Sequence, residues 1–219
     1  MKAATAPRAR RRQSGVSLLF SLIALVLIGF GAMALLRTVD TGTLIMGNLG
    51  FKQDALNATS SGAEQALAWL SPLANTPTLN NDDPTNGYYA AAQDRLDISG
   101  NQTSSTYKRP VINWTGDCQG LSSGSYDICD VTPKSGVDVN GNKIQWVITR
   151  LCDAVGVPTG GNHCMRPATG SSSGEARERG QLQPGGRITS TLASPYYRIL
   201  VRAEGPRNTV VYTETLVHY

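Results

Sequence analysis

The feature that most constrains this 219-residue chain is the apolar run at residues 16–36, which contains no charged residue. As a helix rising about 1.5 Å per residue, a run of this length spans the roughly 30 Å hydrocarbon core of a bilayer. No acidic residue occurs before Asp40, whereas five basic residues precede the run: Lys2, Arg8, Arg10, Arg11 and Arg12. Because Lys and Arg are retained on the cytoplasmic side, the pattern predicts a single membrane helix with a cytoplasmic amino end.

The polar segment before this run ends in a glycine, in the order Arg11-Arg12-Gln13-Ser14-Gly15. A secretory signal carries its cleavage site after the apolar core. Cleavage between Gly15 and Val16 would instead keep the membrane helix on the mature protein. This arrangement resembles the prepilin leader of type IV pilins and type II secretion pseudopilins. The resemblance implies that a prepilin peptidase removes residues 1–15 and that Val16 becomes an N-methylated amino terminus.

Further segments are similar to the PilX-type minor pilins. They are Val16-Ser17-Leu18-Leu19, Met46-Gly47-Asn48-Leu49, Ala63-Glu64-Gln65-Ala66-Leu67 and, near the carboxyl end, Tyr196-Tyr197-Arg198-Ile199. The match covers about a quarter of the chain and is almost absent from residues 75–186. It implies an inner-membrane, single-pass subunit with a periplasmic carboxyl-terminal domain, incorporated into a pilus at the cell surface. The implied partners are the major pilin, other minor pilins, the prepilin peptidase and the inner-membrane assembly platform.

The chain departs from the family at the fifth position after the candidate cleavage site. Pilins that pack inside the fibre usually carry a glutamate there, which neutralises a neighbour's charged amino terminus, but here the residue is Phe20. An unpaired buried charge is costly. The resemblance therefore predicts a subunit at or near the pilus tip, where no subunit lies above it whose charged amino terminus would need a carboxylate. Two alternatives are a signal-anchored periplasmic adhesin or binding protein and a minor pseudopilin of a type II secretion system.

The membrane helix is predicted to continue through residues 37–71. Five residues of this segment recur at helical spacings and form one apolar face of the predicted helix: Leu49, Leu56, Ala63, Leu67 and Leu70. Pro72 predicts the end of the helix, because proline disfavours helical geometry in the residue before it. Glycines at 42, 47 and 50 predict a bend or local melting where the helix leaves the membrane.

Residues 72–219 are predicted to form a β-rich periplasmic domain. A short helix is expected at 88–96, and strands at 111–114, 126–131, 143–151, 196–203 and 209–217. Asn140-Gly141 and residues 204–208 predict hairpin turns. The long segment 153–187 is expected to be a functional surface loop or a mobile one. The predicted fold class is therefore α+β and pilin-like, with a long amino-terminal helix packed on an antiparallel meander.

Four cysteines lie in this predicted domain: Cys118, Cys129, Cys152 and Cys164. An even number on an oxidising side of the membrane indicates two disulfides. Three pairings are possible, and short Gly-, Ser- and Pro-rich loops favour Cys118–Cys129 and Cys152–Cys164. A metal site formed by Cys152, His163 and Cys164 is the alternative, but it lacks a C-x-x-C pair and a fourth ligand.

Motifs for enzymatic chemistry are lacking in the sequence. It contains neither a G-x-S-x-G nucleophile turn nor a phosphate-binding loop, so we expect no enzyme, no cofactor and no metal. Asp138, Asn140 and Asn142 have the oxygen spacing of a calcium loop, but a hairpin turn explains them better. Removal of residues 1–15 would leave 15 basic and 16 acidic residues, a net charge of −1 instead of +4, which gives no general electrostatic reason to expect nucleic acid.

Overall fold

The computed structural model describes residues 16–74, 76–102, 106–158, 162–167 and 194–219. The chain divides into two compact units, with the boundary between Leu49 and Gly50. The predicted cleavage residue Gly15 lies outside the described residues, as does most of the predicted loop at 153–187.

A single helix, α1, covers Val16–Leu70. The helix assignment is continuous through the glycines at 42, 47 and 50, which contradicts the local melting predicted there. The predicted end is confirmed: the α-helix stops at Leu70 and a 3-10 turn follows at Ser71–Leu73, with proline in its first turn.

Five strands form the sheet of the second unit. They are β1 (Tyr88–Tyr89), β2 (Lys134–Ser135), β3 (Lys143–Arg150), β4 (Tyr197–Gly205) and β5 (Thr209–Val217). Their order is β1-β3-β4-β5, with β2 also paired to β3. The α+β class is thereby confirmed. Because β1 runs parallel to β3, however, the sheet is mixed, which corrects the predicted antiparallel meander.

The strand predictions were best at the carboxyl end of the chain. β5 has the predicted bounds, and β3 and β4 lie close to theirs. The predicted hairpin turn is confirmed, since Asn140 and Gly141 have φ angles of 52° and 79°. The helix predicted at 88–96 is wrong, and the strands predicted at 111–114 and 126–131 reduce to isolated bridges.

Side chains of the sheet alternate between two cores. On one face, Ile144, Ile148 and Val201 pack with the part of α1 that lies beyond Gly50. On the opposite face, Val147 and Leu200 pack beneath the irregular segment that contains Ile112, Trp114 and Val131. The sheet is therefore covered on one side by helix and on the other by loops.

The face of α1 that packs on the sheet agrees with the predicted one in part, since Leu70 is buried and Ala63 and Leu67 pack against the same core. The buried residues are mostly small: Ala55, Ala58, Thr59, Gly62, Ala66 and Leu70. Leu49 and Leu56, which belong to the predicted apolar face, are 60% and 48% exposed. Small residues are needed because the backbones approach closely. A Cβ at Gly62 would lie 2.6 Å from Val201 Cγ1 and 2.7 Å from Ile144 Cγ2.

Candidate functional site

The apolar part of α1 presents its side chains to the surroundings rather than to a core of its own. All residues from 16 to 39 are exposed, including Leu18, Leu25 and Ile28, each at more than 70%. An 18-residue window here has a mean hydropathy of 2.6, so the helix is long and apolar enough to cross a membrane. A helix that is apolar on all sides requires lipid or other apolar surfaces around it.

Hydroxyl groups in this part of the helix are compatible with an apolar environment. Ser21 Oγ donates to the Leu18 carbonyl at 2.9 Å, and Thr38 Oγ1 donates to the Ala34 carbonyl at 3.0 Å. Because these bonds stay within the helix, neither hydroxyl requires water.

Val16 and Phe20 lie one helical turn apart on the same side of α1. The Phe20 side chain is 66% exposed. It occupies the position where the resemblance expects a carboxylate, and residues 16–36 contain no Asp or Glu. An apolar ring at this depth can pack against a neighbouring helix, but it cannot pair with a charged amino terminus.

Both disulfides link the cysteine pairs favoured by loop length, Cys118–Cys129 and Cys152–Cys164. The metal interpretation of Cys152, His163 and Cys164 is wrong, because a thiolate is the species that binds metal and both sulfurs are in a disulfide. Among the described residues, no group of three or more His, Cys, Asp or Glu side chains is placed to hold a metal ion.

A buried arginine organises the loop of the second disulfide. Arg150 is 1% exposed. Its Nε donates to the Ala90 carbonyl at 2.9 Å, its Nη1 to Asn80 Oδ1 at 3.3 Å and its Nη2 to the Gly156 carbonyl at 2.7 Å. The guanidinium thereby joins the segment around β1 to the loop that follows Cys152. Sequence reasoning missed Arg150, although it shares the alternation of Ile144 and Ile148 along β3, which indicates a core-facing position.

Two tyrosines lie beside this guanidinium. Burial raises the pKa of the Tyr88 hydroxyl above its ordinary value of 10.0, although the positive charge of Arg150 acts in the opposite direction. The hydroxyl donates to the Leu79 carbonyl at 2.7 Å. Burial likewise raises the pKa of Tyr197. Both phenols are therefore neutral under physiological conditions, which fits a structural role rather than proton transfer.

The residues with calcium-loop spacing form the β2–β3 hairpin turn. Asn142 is fully buried, and its Nδ2 donates to Asp54 Oδ2 at 2.7 Å and to the Val139 carbonyl at 3.1 Å. The amide nitrogen is therefore engaged within the fold, whereas Oδ1 is buried without a hydrogen-bond partner. This arrangement supports the hairpin interpretation over a calcium loop.

A polar groove of about 240 Å³ lies on the loop-covered face of the sheet, at the hairpin end. Its central charges satisfy one another: Arg202 forms an ion pair with Glu204 at 3.0 Å and donates to Gln145 Oε1 at 3.0 Å. Lys143 is the cross-strand partner of Glu204. Arg202 Nε is buried without a hydrogen-bond partner, but the ion pair with Glu204 balances the charge of the guanidinium, so the groove does not indicate a ligand of defined charge.

Comparisons of the chain with protein-family models, with curated proteins and with solved structures found no match. Function is therefore inferred from the residues described above. The most informative of them belong to α1, whose two parts have opposite surroundings: exposed apolar side chains before Gly50 and a buried stripe after it.

Proposed function

We propose that the protein is a PilX-like minor pilin that takes part in the initiation and assembly of a type IV pilus and lies at or near its tip. The main supporting observation is the apolar part of α1, which follows the candidate cleavage site in the sequence. Over the length of a membrane span the side chains of this part are uncharged, mostly apolar and exposed.

The arrangement of the second unit supports the same proposal. A helix packed on a largely antiparallel sheet, with two disulfides, suits a pilin-like periplasmic domain. In this proposal residues 1–15 are the leader, 16–36 cross the inner membrane, and 37–71 and 72–219 lie in the periplasm. The membrane helix and the surface of the domain contact the major pilin and the other minor pilins, without enzymatic chemistry.

Processing at Gly15 tests this proposal directly. Mass spectrometry of the protein from cells should find residues 1–15 missing and an N-methyl group on Val16. Gly15→Val should block cleavage, because a side chain at this position prevents the close backbone approach that a peptidase pocket needs. Gly29→Val is the matched control, since its Cβ meets nothing within 4 Å and processing should be unchanged. Uncleaved protein in wild-type cells would instead favour the signal-anchored binding protein.

Phe20 gives a second test, concerning position in the fibre. Immunogold labelling of purified pili should find the wild-type protein scarce and confined to the ends, because Phe20 cannot pair with a neighbour's amino terminus. Phe20→Glu should increase labelling along the shaft, whereas the uncharged Phe20→Gln should not. Regular wild-type labelling along whole fibres, at a density rivalling the major subunit, would contradict the tip position.

A further inference from the structure

The contacts between α1 and the sheet change in kind along the helix. From Ala55 to Gly62 the buried positions carry alanine, threonine or glycine, each of which buries little apolar surface. Near the end of the helix, Leu70 is fully buried, and Leu67 and Trp69 pack against the same core. Apolar packing therefore holds the end of α1 firmly and the turns that follow Gly50 only weakly.

Those weakly packed turns are held by a polar contact to the β2–β3 turn. Asp54 Oδ2 accepts a hydrogen bond of 2.7 Å from Asn142 Nδ2. The same amide nitrogen donates to the Val139 carbonyl, so the β2–β3 turn fixes the donor in place. Because Asp54 carries a carboxylate, this hydrogen bond is stronger than one between two neutral groups. The side chain is only half-buried, so the cost of removing water from the carboxylate does not cancel the free energy of the bond.

The β4–β5 turn contacts the same stretch of helix. The Arg207 guanidinium carbon lies 5.0 Å from the centre of the Phe51 ring, a cation–π arrangement. Gly205, at the end of β4, has no room for a side chain: a Cβ there would lie 2.5 Å from Asn142 Oδ1 and 3.6 Å from Ala55 Cβ. Two separate hairpin turns thus meet on one turn of α1.

We propose that Phe51, Asp54, Asn142 and Arg207 form a latch that decides whether residues 50–62 of α1 stay on the sheet. Local stability in a protein varies with the contacts that each segment makes. Release of the latch would free residues 50–62, held by few apolar groups, while the packing around Leu70 keeps the end of the helix docked. The domain then has two states that differ in the length of docked helix. This property does not depend on the proposed role in a pilus.

Hydrogen–deuterium exchange on the full-length protein in detergent tests the latch. Asp54→Ala should make the amides of residues 55–62 exchange roughly tenfold faster, the effect expected from loss of one charge-assisted hydrogen bond. The amides of residues 66–70 and of β4 should be unchanged. Alanine favours helix more than aspartate does, so faster exchange cannot result from a weaker intrinsic helix preference.

Matched variants separate the latch from a general loss of stability. Asn57→Ala changes an exposed residue of the same helical segment and should leave exchange as in the wild type. Asp54→Asn keeps an acceptor oxygen and should fall between the wild type and Asp54→Ala, while Phe51→Ala should act in the same direction as Asp54→Ala. Unchanged exchange in Asp54→Ala, or equal acceleration over the whole domain, would overturn the proposal. So would an Asp54→Asn variant that exchanges as fast as Asp54→Ala.

Discussion

The stretches of α1 before and after Gly50 differ in which side chains are exposed and which are buried, although they belong to one helix. Residues 16–49 include the large apolar side chains of the helix, yet every described side chain among them is exposed. Residues 50–70 bury a stripe made mainly of alanine, threonine and glycine against the sheet. Most of the larger apolar residues of the helix thus lie where the described part of the chain does not bury them, whereas the buried stripe consists mainly of small residues.

This difference shows where each part obtains its stability. A fully buried leucine contributes about 1.5–3 kcal/mol relative to an exposed one, and the described part of the chain buries none of the side chains at 16–36. Their burial requires lipid or other apolar surfaces. The stretch after Gly50 is stabilised internally, and its small side chains permit the close approach to β3 and β4 that the sheet requires. Substitutions matched between the two stretches test this division.

The largest expected effect comes from charges placed in the exposed apolar stretch. The double substitution Leu25→Arg/Leu27→Arg should cost about 5–7 kcal/mol of membrane insertion, because each arginine near the centre of a span costs about 2.5–3.5 kcal/mol. The apolar residues contribute only about 0.3–0.6 kcal/mol each, so two arginines offset most of the span. We expect the protein to move from the carbonate-resistant membrane pellet to the soluble or degraded fraction.

Leu49→Arg/Leu56→Arg is the matched control for this change. These leucines are also exposed, at 60% and 48%, but they lie beyond the predicted span. The control should stay in the membrane pellet, and its domain should change in free energy of unfolding by no more than about 0.5 kcal/mol for each substitution. If both double variants fractionate alike, the proposed division of α1 into a membrane span and an extramembrane part is wrong.

The carboxyl-terminal strands could be predicted from local sequence because their signals are local. β5 combines β-branched and aromatic residues after a clear turn, and Asn140-Gly141 can adopt the positive φ angles that its own turn requires. β1 could not be predicted in the same way. Tyr88-Tyr89 precede three alanines, a sequence that favours helix, but the strand forms through parallel pairing with Ile148 and Thr149, which are distant in sequence.

The packed face of α1 was predicted only in part, for a related reason. Leucine periodicity indicated Leu49 and Leu56, because large apolar residues usually mark a buried face. The sheet instead approaches so closely that a Cβ at Gly62 would lie within 3 Å of Val201 and Ile144, and the neighbouring buried positions are Ala55 and Ala58. How closely two elements approach depends on both surfaces, so the sequence of the helix alone does not reveal it. The position of Arg150 could have been inferred from strand alternation, but its carbonyl partners are set by tertiary contacts.

The smallest expected effect comes from a glycine-to-alanine substitution. It gives the most direct comparison, because the same substitution can be made before and after Gly50. Gly62→Ala places a methyl group within 3 Å of Val201 and Ile144. We expect overpacking to cost about 1–3 kcal/mol, reduced by up to about 1 kcal/mol because alanine favours helix more than glycine does. Gly47→Ala places its methyl group where nothing lies within 4 Å, so it gains the helix preference without the clash.

Urea unfolding in detergent, followed by the fluorescence of the buried Trp114 and Trp146, measures the effect on the domain. The Gly62→Ala midpoint should fall, and the Gly47→Ala midpoint should equal or slightly exceed that of the wild type, with unchanged slopes. If the Gly62→Ala variant is as stable as Gly47→Ala, β3 and β4 can shift enough to accommodate the added methyl group. Small residues on the buried stripe would then be a preference, not a requirement of the close approach between α1 and the sheet.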